Sequence, residues 1–340
     1  NRFVPVELMD VAGLVPGASE GKGLGNQFLD DLRQADVFIH IVDASGTTDE
    51  EGKPVASHDP SRDILFLENE LNRWFYNIMV KAWKGFVRKT EQEKGNFAEA
   101  VSRQFSGLKV TEDHVKKVLS TLRLPEKPTN WSEDQLFWFA SELRVESKPT
   151  IIAANKIDLE KAYGNYQFLK MKFPGLIIIP CSADSELALR EAAKSGLIDY
   201  IPGERDFEIK GEINSSKRGQ VKGELTEEQR AALFNIKESV LARIPEATGV
   251  QEILNYAVFN FLNYIAVFPV DNANKLTDSK GRILPDCFLL PSGSTALDFA
   301  YYLHTDFGNN FIKAIDARTK KIIGKNYELK NRDALEIVTK

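Results

Sequence analysis

The amino-acid sequence predicts an α/β domain built around a largely parallel sheet, with a helical insertion and a separate small α+β domain at the C-terminal end. Three short apolar blocks, at residues 37–42, 151–154 and 176–179, carry the sheet prediction. Apolar blocks of this length are typical of strands buried on both faces, and helical segments lie between them. A further strand is predicted at residues 3–8, just before a glycine-rich stretch.

The character of the sequence changes twice, and these changes set the predicted domain boundaries. Residues 48–140 carry apolar side chains at helical spacing without a strand-like block, so we expect an antiparallel helix pair with shorter helices, in a structural role. Residues 266–340 contain short strand-like runs, turns and one helical run, which predicts a small independent domain. The α/β domain then comprises residues 1–47 and 141–265.

Local signals predict three smaller features. Thr226 followed by Gln229 forms a capping box, which predicts that a helix begins there. The polar residues 204–223 indicate a mobile loop, and residues 275–285 indicate a hairpin.

Composition narrows the class of protein. Hydrophobic residues make up 43% and charged residues 27%, with a net charge of −5, which is ordinary for a soluble globular protein. The two cysteines, Cys181 and Cys287, lie far apart, so we expect no disulfide framework and a cytoplasmic location. No apolar run approaches the roughly 18 residues that span a bilayer, so no membrane association is expected. The four histidines show no metal-ligand spacing.

The first motif is an aspartate followed three residues later by a glycine, Asp10 and Gly13. A carboxylate at the carboxyl end of a parallel strand lies where α/β proteins bind ligands, and it can hold Mg²⁺ through a water molecule. A glycine N–H can approach a γ-phosphate closely because no side chain intervenes. The pair is common by chance, so alone it is weak evidence for a nucleotide site.

The second motif, Asn155, Lys156 and Asp158, directly follows the apolar block 151–154. The carboxylate of Asp158 can accept two hydrogen bonds from guanine, one from the ring N–H and one from the exocyclic amine. Adenine offers no such pair of donors. Asn155 can bond the base edge or a facing phosphate loop, while the aliphatic part of Lys156 can cover the ring. The structural alternative is a helix cap with solvated charges.

The third motif, Ser182, Ala183 and Asp184, follows the block 176–179 and predicts a tight turn whose backbone N–H meets the guanine O6. This motif is uninformative alone. Three such motifs at the carboxyl ends of three successive predicted strands, in this order, are nevertheless unlikely to coincide by chance, and they indicate GTP binding.

These residues resemble a known family. The three motifs match the third, fourth and fifth nucleotide motifs of translation-factor-class GTPases, and residues 13–29, GLVPGASEGKGLGNQFL, resemble the signature of the YchF (Obg-like ATPase) branch of the Obg superfamily, archaeal type. The resemblance covers nearly the whole chain. It implies a Ras-like P-loop NTPase domain, a helical insertion and a C-terminal TGS-like domain with a ubiquitin-like α+β fold.

The glycine-rich stretch 17–25 is not expected to be the phosphate-binding loop. Its Gly-x-x-x-Gly-Lys-Gly spacing is one residue short of a Walker A motif and lacks the Ser/Thr hydroxyl that binds Mg²⁺. Four glycines suit a switch segment that γ-phosphate contacts would order. In relatives the phosphate loop precedes the Asp-x-x-Gly strand, so we expect that it would lie before Asn1 and that the chain as given is inactive in hydrolysis.

Two residues bear on the expected rate of hydrolysis. Leu14 stands where many GTPases place the glutamine that orients the attacking water, and the resemblance also implies this hydrophobic substitution. Leucine cannot hydrogen-bond to water, so hydrolysis should be slow or should borrow another group. His58 is a candidate for orienting water, although an exposed loop histidine without a function is the simpler interpretation.

The preferred base and the overall activity leave alternatives open. Familiar YchF members lack the full Asn-Lys-x-Asp pattern and favour ATP, whereas this sequence has it and therefore favours GTP. The predicted function is a Mg²⁺-dependent GTPase that acts as a nucleotide switch. The alternatives are an ATP-preferring Obg-like ATPase and a non-hydrolysing RNA-binding scaffold.

The C-terminal domain is the predicted contact with the ribosome or RNA. Its strands and turns carry a basic cluster that could meet RNA phosphates: Lys313, Arg318, Lys320 and Lys321. Nearby aspartates dilute this charge, so a solvated surface is the structural alternative. The resemblance to TGS domains favours the RNA contact.

Overall fold

The computed structural model describes residues 3–11, 32–210, 225–284 and 286–340. These residues form two compact units. The larger runs from Met9 to Leu254, and the smaller from Asn255 to Lys340, with the stretch up to Leu8 grouped with it.

The core of the larger unit is a three-stranded parallel sheet in the order β1-β2-β3, comprising β1 (Phe38–Asp43), β2 (Thr150–Asn155) and β3 (Ile177–Pro180). Helices α5 (Ala162–Lys172) and α6 (Ala183–Lys194) follow β2 and β3. This arrangement confirms the predicted α/β class, since the strands are parallel and helices connect or follow them.

Burial on both faces, which was expected for all three strands, holds for β2 but fails in the middle of β1. The side chains of residues 151–154 on β2 are all buried, whereas Ile41 on β1 is 67% exposed. Among the described strands β1 pairs only with β2, so it is an edge strand of this sheet. An unbroken apolar run cannot by itself distinguish an edge strand from a central one.

The strand predicted at residues 3–8 does not form. Residues 3–11 lie outside any helix or strand, and Phe3 and Leu8 are 55% and 65% exposed. A strand needs a neighbour to satisfy its backbone N–H and C=O groups, and no described strand pairs with this segment. Residues 32–34, at the start of the next described range, are helical.

Between β1 and β2 lie the helices of the insertion. They are α1 (Ser61–Gln92), α2 (Phe97–Gln104), α3 (Glu112–Thr121) and α4 (Glu133–Ser147), with 3-10 turns at Ser106–Leu108 and Pro128–Asn130. The end of α4 contacts the start of α1, because Arg144 donates hydrogen bonds to Asn72 and Glu68. The two longest helices are therefore antiparallel, as the sequence indicates.

Aromatic side chains fill the core of this helical layer. Trp83 on α1 stacks on Trp131 with 5.5 Å between ring centroids, and Phe139 on α4 packs on Trp131 at 4.9 Å. Leu32, which precedes β1, and Phe38, which is its first residue, belong to the same apolar cluster. Large aromatic surfaces of this kind dominate the free energy of core packing, so the insertion is tied firmly to the sheet.

After α6, the described part of the larger unit contains a small hairpin and the helix α7. Strands β4 (Ile198–Asp199) and β5 (Glu208–Ile209) pair antiparallel, and β5 lies within the predicted loop 204–223. Helix α7 (Glu227–Ile236) begins with the predicted capping box of Thr226 and Gln229 and continues as a π-helix over Lys237–Leu241.

Helix α8 (Val250–Asn255) ends at Asn255, the first residue of the smaller unit, and continues as a π-helix over Tyr256–Phe261. A five-stranded mixed sheet follows in the order β7-β6-β10-β8-β9. Its elements are β6 (Tyr264–Pro269), β7 (Phe288–Pro291), α9 (Ala296–Leu303), α10 (Thr305–Asn309), β8 (Phe311–Asp316), β9 (Ile322–Ile323) and β10 (Asp333–Thr339). Phe299 of α9 packs on one face of the sheet, which gives the unit its own core.

The predicted hairpin at residues 275–285 is short and irregular over its described residues: Thr277 bridges Ile283 antiparallel, and the Asp278 N–H donates to the Arg282 carbonyl. Its apolar side chains, Leu276 and Leu284, pack in a small cluster with Val270 of the same unit. Across the described ranges, no helix is both long and apolar enough to cross a membrane.

Candidate functional site

Polar side chains gather where the three parallel strands of the larger unit end. Asp43 ends β1, Asn155 ends β2, and Cys181 follows β3. Asp43 and Asn155 are direct neighbours in the sheet register. The carboxyl edge of a parallel sheet is where α/β proteins bind ligands, so this edge is the candidate site.

Asn155 ties the loop after β2 to the loop after β3. Its Oδ1 accepts a hydrogen bond from the Ala183 backbone N–H at 3.0 Å, and the Cys181 thiol lies 3.7 Å from the same oxygen. The backbone adds two more links, from Ile157 N–H to the Cys181 carbonyl at 3.1 Å and from Cys181 N–H to the Ala154 carbonyl at 2.9 Å. The two predicted base-binding motifs therefore form one structural piece.

Asp158 lies in the turn after β2 and is half-buried. Its carboxylate makes no hydrogen bond or ion pair with any residue in the described ranges, although it is close enough to Cys181 to raise the pKa of that thiol. Burial is the larger cause, and together they bring the Cys181 pKa to about 12. A carboxylate that has no internal partner at a ligand-binding edge is available to accept hydrogen bonds from a ligand.

The loop after β3 is rigid because a second segment packs on it. The Ser182 N–H donates to the Thr248 carbonyl at 2.9 Å, and the Ser182 hydroxyl caps α6 by accepting from the Ser185 N–H. Gly249 has a φ of +78°, and a Cβ built on it would lie 1.9 Å from the Pro180 carbonyl oxygen. Ser182 is thus held from both sides, and Asp184 stands exposed in the first turn of α6.

Asp43 is a site residue that the sequence analysis missed. Its Oδ2 accepts a hydrogen bond from the Lys156 ammonium at 2.8 Å, and its side chain is only 8% exposed. Burial acts to raise the pKa of Asp43, but the hydrogen bonds from Lys156, Ser45, Thr48 and Thr47 outweigh it and hold the pKa well below its usual range. An aspartate at the end of a predicted strand was the available signal, and it is the same signal that singled out Asp10.

The residues of the first motif are only partly described. Asp10 is exposed, lies outside any helix or strand, and forms no hydrogen bond or ion pair with another described residue. Gly13 and Leu14, together with the glycine-rich stretch 17–25, lie outside the described residues. The strand that would place Asp10 at the carboxyl edge of the sheet does not form, so the role of Asp10 as a Mg²⁺ ligand stays a prediction.

His58 is not an exposed loop histidine. Its side chain is 6% exposed, and Nε2 lies 2.8 Å from Oδ1 of Asp63 in the first turn of α1. Its backbone N–H donates to the Gly46 carbonyl at 2.9 Å, just beyond the end of β1. Because Nε2 is engaged with Asp63 and the side chain is largely buried, only Nδ1 of His58 could contact a water molecule.

The four basic residues predicted to meet RNA differ in their surroundings. The Lys320 ammonium donates to the backbone carbonyls of Ala273 at 2.5 Å and Ala317 at 2.6 Å, so it holds two loops of the smaller unit together. Arg318 is exposed and donates to the Arg332 carbonyl at 3.0 Å. Lys321 is exposed and Lys313 is half-buried on β8, and neither side chain has a hydrogen-bond or ion-pair partner in the described part of the chain.

Three family models match parts of the chain. Residues 153–272 match a model described as the G4 motif-containing domain of YGR210-like Obg-like GTPases, residues 273–339 match the TGS domain, and residues 2–70 match a 50S ribosome-binding GTPase model. A GTP-binding protein of Methanocaldococcus jannaschii is 47% identical over 338 residues, which span 99% of this chain and 82% of the relative. The chain belongs to the YchF/Obg family of GTP-binding proteins.

A solved structure and a second named protein are also similar to this YchF/Obg-family chain. The crystal structure of a GTP-binding protein from Pyrococcus horikoshii is 41% identical, with a TM-score of 0.68, and the match covers 92% of this chain and 81% of that one. A protein of Buchnera aphidicola named ribosome-binding ATPase YchF is 29% identical over 92% of this chain and 70% of its own length. The resemblance stated from the motifs, including the C-terminal TGS domain, is therefore confirmed.

Proposed function

We propose that this YchF/Obg-family protein binds GTP with Mg²⁺, hydrolyses it slowly, and acts as a nucleotide switch that contacts the ribosome or RNA. One observation carries the proposal: the Asp158 carboxylate, without a described internal partner, stands at the carboxyl edge of the sheet beside a loop that Asn155 and Gly249 hold rigid. Rigid polar groups around an available acceptor are what selective recognition of a base requires.

Guanine fits this arrangement better than adenine does. Its ring N–H and exocyclic amine are adjacent donors, and a carboxylate accepts both in parallel. Adenine would leave the half-buried Asp158 carboxylate without a donor, at the cost of an unsatisfied charged group. The Ala183 N–H donates to Asn155, so its proposed contact with the guanine O6 would share or replace that hydrogen bond.

The residues support slow rather than fast hydrolysis. Mg²⁺, when bound with the nucleotide near Asp10, would neutralise the charge that develops on the phosphates. Leu14 offers no hydrogen bond to an attacking water, and the His58 side chain is largely buried with Nε2 engaged by Asp63. The features of Leu14 and His58 lower the fraction of protein molecules in which the attacking water is correctly oriented. The nucleotide would therefore be hydrolysed slowly enough for a regulatory switch.

The contact with the ribosome or RNA is proposed to lie on the TGS domain. Its Arg318 and Lys321 are exposed cations, whereas the ammonium of Lys320, which is also exposed, is occupied with two backbone carbonyls. Two of the relatives' descriptions, ribosome-binding ATPase YchF and 50S ribosome-binding GTPase, name a ribosome contact for those proteins. That common description supports the same class of partner here.

Competition between nucleotides tests the proposal against the ATP-preferring alternative. Fluorescent GDP bound to the protein would be displaced by unlabelled GTP and by unlabelled ATP in parallel titrations. We expect GTP to compete at a concentration at least about 100-fold lower than ATP, because two charge-assisted hydrogen bonds distinguish the bases. Equal competition, or a preference for ATP, would assign the protein to the ATPase alternative, and no binding of either would favour the RNA-binding scaffold.

A further inference from the structure

Asp43 and Lys156 form a contact that the base-recognition motif does not itself require. Lys156 lies one residue beyond Asn155, which is the register partner of Asp43 on the neighbouring strand. Lys156 has a φ of +60°, a left-handed conformation that a non-glycine residue adopts at a cost. This turn brings the side chain back across the end of β1, where its ammonium meets Asp43 Oδ2 at 2.8 Å.

The Asp43 carboxylate is held in one orientation. Oδ1 accepts from the Ser45 N–H at 2.9 Å and from the Ser45 hydroxyl at 2.5 Å, while Oδ2 accepts from the hydroxyls of Thr47 at 3.0 Å and Thr48 at 2.7 Å. A carboxylate with this many donors stays ionised and does not rotate. It therefore presents Lys156 with a fixed negative charge rather than a mobile one.

The Lys156–Asp43 ion pair is shielded from solvent at its acidic end only. The Lys156 side chain is 34% exposed and the Asp43 side chain 8%. Lysine has a flexible four-carbon stem that must be ordered before it can lie against a planar base, and ordering it costs conformational entropy. Fixing the ammonium in advance removes part of that cost from the binding step.

We propose that Asp43 is a positioning residue for base recognition: it anchors the Lys156 ammonium beyond the edge of the base, so that the aliphatic stem lies along the guanine face. The inference rests on the proposed function, because it presumes that a guanine base occupies the edge beside Asp158. It adds to that function a residue outside the Asn155–Asp158 motif and a reason for the strained backbone of Lys156.

A double-mutant cycle in the full protein separates positioning from a general structural role. The dissociation constants for GDP and ADP are measured for the parent, Asp43→Asn, Lys156→Met and the double variant. We expect Asp43→Asn to weaken GDP binding about tenfold, the scale of one charge-assisted hydrogen bond. In the Lys156→Met background, where the stem remains but the ammonium is gone, Asp43→Asn should change GDP affinity by less than about twofold.

Asp49→Asn is the matched control. Asp49 is a carboxylate of the same loop that caps only the backbone N–H groups of Glu51 and Lys53, so its loss should leave GDP affinity unchanged. An equal loss for Asp43→Asn in both backgrounds would overturn the inference, since Asp43 would then act by holding the loop through Ser45, Thr47 and Thr48. A parent that binds GDP and ADP equally well would overturn the proposed function, and this inference with it.

Discussion

Single residues fix the geometry of the base-recognition edge, and Gly249 is the least replaceable of them. Its positive φ and the 1.9 Å separation between a built Cβ and the Pro180 carbonyl oxygen leave no space for a side chain. Thr248, its neighbour, accepts the Ser182 N–H and is tied through its own hydroxyl to the buried Glu186 at 2.6 Å. A change at Gly249 would therefore displace the loop that carries Ser182 and Ala183.

Replacing Gly249 by alanine should destabilise the protein by about 3 kcal/mol, because the methyl group would push the segment that carries Thr248 and Gly249 away from the end of β3, and alanine disfavours a positive φ. The free energy of unfolding in urea measures the effect. Gly85→Ala is the matched control: Gly85 is exposed on helix α1 with no atom within 4 Å of a built Cβ, so alanine should stabilise by about 0.5–1 kcal/mol. Similar stabilities for the two variants would contradict the close packing at Gly249.

Site residues could be predicted from the sequence where their role follows from local sequence, and not where it depends on a tertiary contact. Asn155 and Asp158 were accessible because they directly follow an apolar block, and the chemistry of guanine explains their spacing. Asp43 follows such a block equally well, but its role emerges only when the left-handed turn at Lys156 brings the two side chains together. Sequence periodicity carries no signal for that turn, since it is set by tertiary contacts.

Among the elements, β1 links the candidate site to the helical insertion. Its Phe38 belongs to the apolar cluster of the insertion, and its Asp43 belongs to the site. His40 lies between them, and burial lowers the pKa of His40 to about 4, well below the ordinary value of 6.5. The folded protein therefore keeps this imidazole neutral in mildly acidic solution, whereas the unfolded chain protonates it.

This difference in the pKa of His40 between the folded and unfolded states makes the free energy of unfolding of the protein depend on pH. Between pH 6.5 and pH 4 the unfolded state binds the extra proton, so the free energy of unfolding falls as the pH is lowered through that window. We expect a loss on the order of 1–2 kcal/mol between pH 7 and pH 5, measured as urea unfolding at the two pH values. His40→Gln should reduce the loss to what the rest of the protein contributes, and an identical pH dependence in this variant would refute the assignment to His40.

Among the elements, the helices could be predicted from the periodicity of the sequence, whereas the pairing of strands could not. The helices of the insertion and the helix that begins at Thr226 follow from 3.6-residue spacing and a capping box. The strand predicted at residues 3–8 was wrong because a strand depends on a partner, which local sequence does not reveal. Residues 275–284 likewise carry turn signals, yet their apolar side chains pack against the sheet instead of forming a regular hairpin.

For the whole molecule, the division into two compact units separates nucleotide chemistry from the proposed contact with RNA. The candidate base site lies within Met9–Leu254, and Arg318 and Lys321 lie within Asn255–Lys340. The chain as a whole carries a net charge of −5, so attraction to RNA must come from local clusters of cations.

Reversing two of these charges tests where the ribosome or RNA binds. Arg318→Glu together with Lys321→Glu should weaken co-sedimentation with ribosomes and reduce its salt dependence, by about one unit of log–log slope for each phosphate that is no longer neutralised. GDP affinity should stay the same, because the changes lie in the other unit. The control is Lys81→Glu with Lys84→Glu, the same charge change on exposed positions of α1. A stronger effect of this control pair on co-sedimentation would place the binding surface on the helical insertion.

The most direct test of the proposed guanine recognition is to replace the Asp158 carboxylate by an amide. Asp158→Asn removes the carboxylate that we propose accepts both guanine donors, and xanthine carries a carbonyl where guanine has its amine, so an amide can donate to it. We expect GDP affinity to fall about ten- to hundredfold while xanthosine diphosphate gains affinity, and Glu160→Gln in the same loop should change neither. Unchanged preference for GDP over xanthosine diphosphate in the Asp158→Asn protein would contradict the account.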